Sequence, residues 1–255
     1  MFKDHFSQIA QRYADFRPRY PDALFAWLAS LTAQHELAWD CACGSGQASP
    51  DLARFFVRVI ATDASAAQLA QAGPHAAVEY RVALAEESGL EPQSIDLLIV
   101  AQALHWFDLP RFYAEAQRVL RPGGVIAAWT YGTARVLPAA IDAPLRHFYS
   151  EVVGPYWPAE RRHVENGYRE LPFPFAEIAP AAFQLQVSWS RAQFVGYLRS
   201  WSATARFVKE RGFDPVVPLD AQLARLWPHD APPCAICWPL ALRVGRWGTP
   251  ASGAH

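Results

Sequence analysis

Apolar residues open the chain at helical spacing. Phe2, Phe6, Ile9, Tyr13 and Phe16 stand three or four positions apart, the period that lines one face of an α-helix. That helix should end before Pro18, because the residue preceding a proline avoids the helical region. Pro21 then suits the start of a second helix through Leu24, Trp27, Leu28 and Leu31. From residue 37 the pattern shortens into apolar runs at 37–41, 57–62, 78–83, 95–101 and 125–131, each read as a strand. The run at 95–101 is almost unbroken, as a strand covered on both faces requires. Helix signals fall between the runs. Ser49-Pro50-Asp51 reads as a cap, a first-turn proline and a first-turn acid; Ser65 caps a helix that stops at Gly73-Pro74; Asp108 and Pro110 open one reaching about Leu120. Strands alternating with helices predict a parallel sheet with right-handed crossovers.

After Tyr131 the rhythm changes. Residues 132–180 are rich in proline and aromatic residues and read as an irregular insertion with one or two helices. An alternating strand follows at 183–189, a helix capped by Ser190, another capped by Asp220, and a last strand within 234–247. The tail after Gly248 should be loose. The expected division is a cofactor-binding half with N-terminal lid helices at 1–131, a cap at 132–180, strands and helices completing the sheet at 181–247, and a tail at 248–255.

Composition narrows the class. The 255 residues, 52% of them hydrophobic, can bury the core of one α/β domain with added elements. A formal net charge of -1 without blocks of like charge removes the electrostatic footprint of a duplex-binding protein and gives no support for a membrane-surface role. No apolar run is long enough to span a bilayer, and the first residues lack the apolar centre of a secretory signal. The expectation is a cytoplasmic protein, monomer or homodimer, acting on neither nucleic acid nor membrane. Cys41 and Cys43, like Cys234 and Cys237, lie in apolar stretches and read as small buried side chains, with no metal site.

The chemistry concentrates where the run at 37–41 ends. Gly44-Ser45-Gly46 forms a tight turn before a helix, where ligands approach the backbone at the carboxyl ends of strands. Asp63, ending the next strand, can accept hydrogen bonds from both ribose hydroxyls of an adenosine, and Glu86, after the third, can reach its base. A nicotinamide-dependent oxidoreductase would use similar parts, but the third glycine of its fingerprint is missing, and neither Lys3 nor Lys209 completes a Tyr-x-x-x-Lys pair. A non-catalytic cofactor-binding protein is the other alternative.

Four segments together carry a family likeness. Asp40-Cys41-Ala42-Cys43-Gly44-Ser45-Gly46, Asp63, Ala103-Leu104-His105-Trp106-Phe107 and Arg118-Val119-Leu120-Arg121-Pro122-Gly123-Gly124 resemble the successive motifs of class I S-adenosylmethionine-dependent methyltransferases. Arg17-Pro18-Arg19-Tyr20-Pro21 is similar to the trans-aconitate methyltransferase-like subgroup. The resemblance implies a Rossmann-like, mostly parallel seven-stranded sheet with helices on both faces, an antiparallel last strand, N-terminal helices and an inserted cap. It implies that S-adenosylmethionine is the cofactor. Asp40, Ala42, Gly44 and Gly46 would surround its methionine end, Asp63 and Ala64 its ribose, and Ala85 and Glu86 its adenine. Gln102 would line the path to the methyl group, and Tyr13 and Arg17 would close over it. Ala42 departs from the pattern, which has glycine there. It is tolerated at negative φ; at positive φ it would be strained and the loop displaced.

His105 falls near the donor methyl. It is either a general base or a histidine packed beside Trp106, and packing is the default because many methyl acceptors need no base. Eight of the ten tryptophans lie at or after residue 106, enough to wall an apolar pocket. Arg161, Arg162 and Arg169 could bind an anionic acceptor. The expected reaction is in-line methyl transfer to a small molecule, with a carboxylic acid as the candidate acceptor.

Overall fold

The computed structural model describes residues 18–248. The first helix read from the sequence, Tyr13, Arg17 and the tail lie outside them. The first described helix, α1 (Asp22–Ser30), begins immediately after Pro21 and buries Leu24, Phe25 and Leu28 completely. Then β1 (Leu37–Cys41), α2 (Ser49–Leu52), β2 (Arg58–Asp63), α3 (Ala66–Leu69), β3 (Val78–Val82), β4 (Ile95–Ala101), α4 (Leu109–Val119) and β5 (Leu120–Thr130) follow in alternation. A 3-10 turn at Leu104–Trp106 links β4 to α4.

β1 to β5 run parallel, in the spatial order β3-β2-β1-β4-β5. β10 (Ala241–Arg246) lies antiparallel against β5, and β7 (Ala176–Ile178) closes the seven-stranded sheet beyond it. Alternate residues of β4 and β5 feed two cores, because successive side chains of a strand point to opposite faces. Leu97, Ile99, Val125, Ala127 and Trp129 pack with α1, whereas Leu98, Val100, Ile126 and Ala128 pack with Phe112, Ala116 and Val119 of α4. This is the Rossmann-like architecture expected.

The C-terminal half corrects the expectation. The segment 132–180 holds β6 (Arg135–Val136), α5 (Ala139–His147), α6 (Arg161–Glu165) and β7, so one strand of the main sheet comes from the stretch expected to be an irregular cap. The strand at 183–189 exists as β8 (Gln184–Trp189), but it does not complete the main sheet. With β6 and β9 (Cys234–Pro239) it forms a separate antiparallel sheet. An alternating strand shows which of its faces is covered, not which sheet covers it. The last strand is in fact two: the chain leaves β9 at Pro239 and enters β10 after Leu240, whose N–H bonds Phe183.

Three more helices precede β9: α7 (Arg191–Arg199), α8 (Ser202–Arg211) and α9 (Val216–Leu226). Ser65, Asp108 and Ser190 cap their helices as read, Ser190 within a reciprocal box with Gln193. Asp220 does not cap. It lies inside α9 and pairs with Arg191, while Asp214 accepts the Val216 N–H. Among the described residues no helix is long and apolar enough to cross a membrane.

One buried carboxylate sets the register of the sheet's centre. Asp96 of β4, 4% exposed, accepts the N–H groups of Glu36 and Leu37 at 2.9 Å and the Arg121 guanidinium at 2.7 Å. Asp96→Ala would strand two backbone donors and leave the partly exposed Arg121 to Gln34 and solvent. It should cost about 3 kcal/mol in a denaturant titration; a loss near zero would show that β1 holds its register without this anchor.

Candidate functional site

The chain turns off the sheet immediately after β1. Ala42 takes φ 56, followed by Gly44 at φ 59 and Gly46 at φ 75. The sequence left open whether Ala42 would sit at positive φ. It does, and yet the turn closes: Cys43 N–H bonds Thr62 O at 2.9 Å, Gly46 N–H bonds Cys43 O at 3.0 Å, and Gly44 N–H bonds an Asp63 carboxylate oxygen at 2.8 Å. The expected strain is therefore present, held in place by these bonds. Gly46 is required on a second ground, since a Cβ there would stand 2.6 Å from the Tyr80 hydroxyl.

Two acids flank the turn. Asp63 uses one oxygen for Gly44 N–H and the other for Ser65 N–H at 2.8 Å. Asp40 is 1% exposed. Its Oδ2 accepts the Ser49 hydroxyl at 2.6 Å, and its Oδ1 has no partner. Ser49 was read as a helix cap; it is instead the first residue of α2, with its hydroxyl spent on Asp40. Burial raises the Asp40 carboxyl to about 7, against the opposing Ser49 bond and helped by the nearby Asp63. Gln47 Oε1 and Tyr80 Oη are also buried without a partner. Orphaned polar atoms around the turn fit a polar ligand with a cationic end. Ala64 is half-buried beside Asp63, and Ala85 is buried in the core next to the loop. Glu86 bonds the Asp108 N–H at 2.8 Å, which ties the loop after β3 to α4 and leaves its second oxygen available.

The neighbouring exit, after β4, is built differently from the expectation. Gln102 also takes a left-handed conformation, φ 59. Its amide is engaged at both ends: Nε2 donates to Tyr131 O at 3.0 Å, and Oε1 accepts the Thr130 hydroxyl at 2.5 Å. It clamps β4 to the end of β5, so its side chain is not free to line a path. Three residues on, His105 packs 4.7 Å from the Trp106 ring and places Nδ1 2.9 Å from the Tyr168 hydroxyl. Burial, then the charges of Arg161 and His163, lower the imidazolium to about 3, so His105 is neutral at physiological pH.

The three arginines proposed for an anionic acceptor separate. Arg162 and Arg169 are exposed. Arg161 is half-buried, stacks 4.5 Å over Trp157 and donates to the Tyr149 hydroxyl at 2.8 Å, with no carboxylate partner among the described residues. Trp157 Nε1, His163 Nδ1 and Asn166 Oδ1, on the same segment, are buried and unpartnered. An open cleft of about 530 Å³ runs past the end of β5, with Tyr131, Arg135, Asn166 and Arg169 in its walls. A second, of about 470 Å³, lies between Tyr156 and Lys209. The glycine turn lines neither. Among the described residues no group of three or more His, Cys, Asp and Glu could hold a metal ion.

The chain is similar to known methyltransferases. A family model described as a methyltransferase domain matches residues 39–128. A solved structure from Anaeromyxobacter dehalogenans, titled a type II methyltransferase in its provisional name, is 48% identical, with a TM-score of 0.86 over 91% of this chain and 98% of that one. A Dictyostelium discoideum protein provisionally named a methyltransferase is 37% identical over 212 residues, 82% of this chain and 80% of that protein. The chain belongs to the class I S-adenosylmethionine-dependent methyltransferases. A Saccharomyces cerevisiae protein named for the same dependence is 29% identical over 141 residues, about half of each chain.

In this methyltransferase the parts that sequence reasoning missed are partners rather than motifs. Tyr168 is fully buried at φ 62, 63 residues from the histidine it bonds. Nothing local marks it, although Asn166-Gly167 before it signals a turn. Tyr80 reads as an ordinary strand aromatic until its proximity to Gly46 is known. The strain at Ala42 has a direct check. Ala42→Gly should stabilise the enzyme by about 1 kcal/mol and raise the calorimetric Tm by roughly 2–4 °C. A lower Tm would mean that the turn does not hold Ala42 in the left-handed region.

Proposed function

We propose that this methyltransferase binds S-adenosylmethionine at the glycine turn and methylates a small molecule bearing a carboxylate, as a monomer or homodimer. When bound, the cofactor supplies an activated sulfonium methyl group. Asp63 would take the ribose hydroxyls. Gly44 and Gly46 would face the methionine end, and the unpartnered Asp40 Oδ1 its ammonium. The observation that carries this reading is that orphaned oxygen, buried beside the glycine turn.

The chain's own task is then alignment. Holding acceptor and donor in line contributes about 7–11 kcal/mol to barrier reduction, with no metal or triad required. The half-buried Arg161, without a carboxylate partner among the described residues, supports an anionic acceptor. If the carboxylate itself is the acceptor it arrives ionised. A neutral imidazole at His105 supports a second reading, in which the carboxylate is the handle and a hydroxyl or amine of the same molecule is methylated. Tyr13 and Arg17 remain proposed as a lid over the cofactor.

S-adenosylhomocysteine should bind at micromolar levels by calorimetry and NADH should not. Asp63→Ala should weaken that binding about 10- to 100-fold; unchanged affinity would remove Asp63 from the site. Binding without transfer of label from the cofactor to any metabolite in an extract would make the protein a cofactor sensor.

The Asp40 carboxyl, raised to about 7, gives a pH signature. An ammonium beside it favours the ionised form, so below that value binding must expel a proton. Affinity for S-adenosylhomocysteine should therefore climb about tenfold per pH unit up to pH 7 and level off above it. Asp40→Asn should bind more weakly and lose the slope. A wild-type affinity flat from pH 5 to pH 8 would show that no cation meets Asp40.

A further inference from the structure

Of the half-buried arginines among the described residues, one lacks what the others have. Arg81, Arg121, Arg191 and Arg243 each meet a carboxylate, and Arg246 directs its terminal nitrogens to the Gly123 and Leu31 carbonyls at 2.7 and 2.8 Å. Arg161 meets neither kind of partner. Its Nε donates to the Tyr149 hydroxyl at 2.8 Å, and that hydroxyl donates onward to Glu165 Oε1 at 2.6 Å. The two terminal nitrogens make no hydrogen bond among the described residues, and they are not fully enclosed, so a ligand can reach them.

The guanidinium is nevertheless held in place. It stacks 4.5 Å over the Trp157 ring and stands 5.5 Å from the Tyr149 ring. Both rings pack against the buried Trp201, at 5.5 and 5.7 Å. Aromatic faces offset part of the cost of drawing a cation out of water, but they leave its N–H donors unmet. Trp157 adds another unmet donor. Its Nε1 is buried without a partner, and an indole N–H can only donate. Donors lacking acceptors, one of them a fixed cation, are the complement of an oxyanion. Arg162, the next cation along the chain, is exposed and turned to His163. A single planar fork with a single charge matches a carboxylate, which it can bind through both oxygens.

This segment is fastened beside the turn after β4. Val164 of α6 is buried in one cluster with Ala103 and Leu104. The His163 carbonyl accepts the Tyr168 N–H at 2.8 Å, and the Tyr168 hydroxyl lies 2.9 Å from His105 Nδ1. We propose that Arg161 and Trp157 form the anion site for the methyl acceptor, that they hold its carboxylate as a handle, and that the methylated atom is a hydroxyl oxygen or amine nitrogen elsewhere in the same molecule. The inference rests on the function proposed above.

Charge decides between handle and nucleophile. A carboxylate that attacks a sulfonium loses its charge as the new bond forms. A guanidinium paired with it would therefore hold it more strongly before the reaction than in the transition state, and would slow the transfer. On a handle the charge persists throughout, and the same contact acts only to position the molecule. The acceptor's oxygen or nitrogen lone pair forms the bond to the methyl carbon, the C–S pair stays on sulfur, and the displaced proton passes to water.

The test follows the Trp157 indole signal in full-length 15N-labelled protein saturated with S-adenosylhomocysteine. Trp157→Phe, which keeps a stacking ring, identifies that signal by its loss. Acetate and benzoate should shift it in saturable, millimolar titrations; benzamide, with the shape of benzoate but no charge, should not. Arg161→Lys, which keeps the charge and loses the fork, should weaken benzoate about tenfold and leave S-adenosylhomocysteine affinity unchanged. A signal indifferent to both carboxylates, or a benzoate affinity unchanged in Arg161→Lys, overturns the site. Inorganic phosphate binding more tightly than either carboxylate overturns the assigned class. Trp157→Phe, followed on the benzoate resonances, should weaken binding about fivefold and keeps the test open if Arg161→Lys fails to fold; unchanged affinity there overturns the pairing with the indole. Absence of S-adenosylhomocysteine binding would strike the proposed function instead, since the carboxylate titrations are read equally in the free protein. Label transferred from the cofactor should be stable to mild alkali in the product, and release of methanol, the mark of a methyl ester, overturns the handle.

Discussion

Two neighbouring strands leave the sheet through the same awkward conformation, and the site depends on it. Cys41 of β1 and Val100 of β4 are paired, and within two residues each chain passes through a left-handed residue that is not glycine, Ala42 and Gln102. Each such residue costs about 1–2 kcal/mol. Backbone bonds to the flanking strands hold them: Cys43 N–H to Thr62 O, and Gln102 N–H to Trp129 O. The sharp exits turn the glycine turn upward from one strand and the turn bearing His105 from the next.

The charges divide along the same line. Asp40, Asp63 and Glu86 lie on the side of β1 to β3, where a sulfonium nucleoside would bring positive charge. Arg161 and His163 come from the C-terminal half and surround a histidine that burial keeps neutral. A cation on one side and an anion on the other would then approach each other across the ends of β1 and β4. That arrangement lets electrostatics assist alignment without any group changing charge before the acceptor arrives.

The sequence was informative where physics acts locally. The runs at 37–41 and 95–101 gave β1 and β4 to the residue, and the caps at Ser65, Asp108 and Ser190 followed from side-chain oxygens next to helical periods. Legibility failed where a partner lies far along the chain. Ser49 looked like a cap because Asp40, its true partner, is on another element. Asp220 looked like a cap because Arg191 was not known to face it. β8 and β9 show the alternation of any half-covered strand, which does not disclose that they form a second sheet. Of the candidate site, the glycine turn and the acids beside it were readable, since they lie on consecutive motifs. The clamp role of Gln102 and the presence of Tyr168 were not, since both depend on the end of β5 meeting a segment from the C-terminal half.

Tyr168 is fastened as well as buried. Arg243 of β10 holds its carbonyl and that of Leu171 at 2.9 Å each, while pairing with Glu177 of β7. The part of the molecule that would recognise the acceptor is thereby riveted to the outer strands of the sheet that would carry the donor. Specificity could not be re-engineered by transplanting residues 132–180 from a relative as a module. A graft that brought a new binding wall without an equivalent tyrosine, or without the arginine that secures it, would arrive with its histidine unmoored.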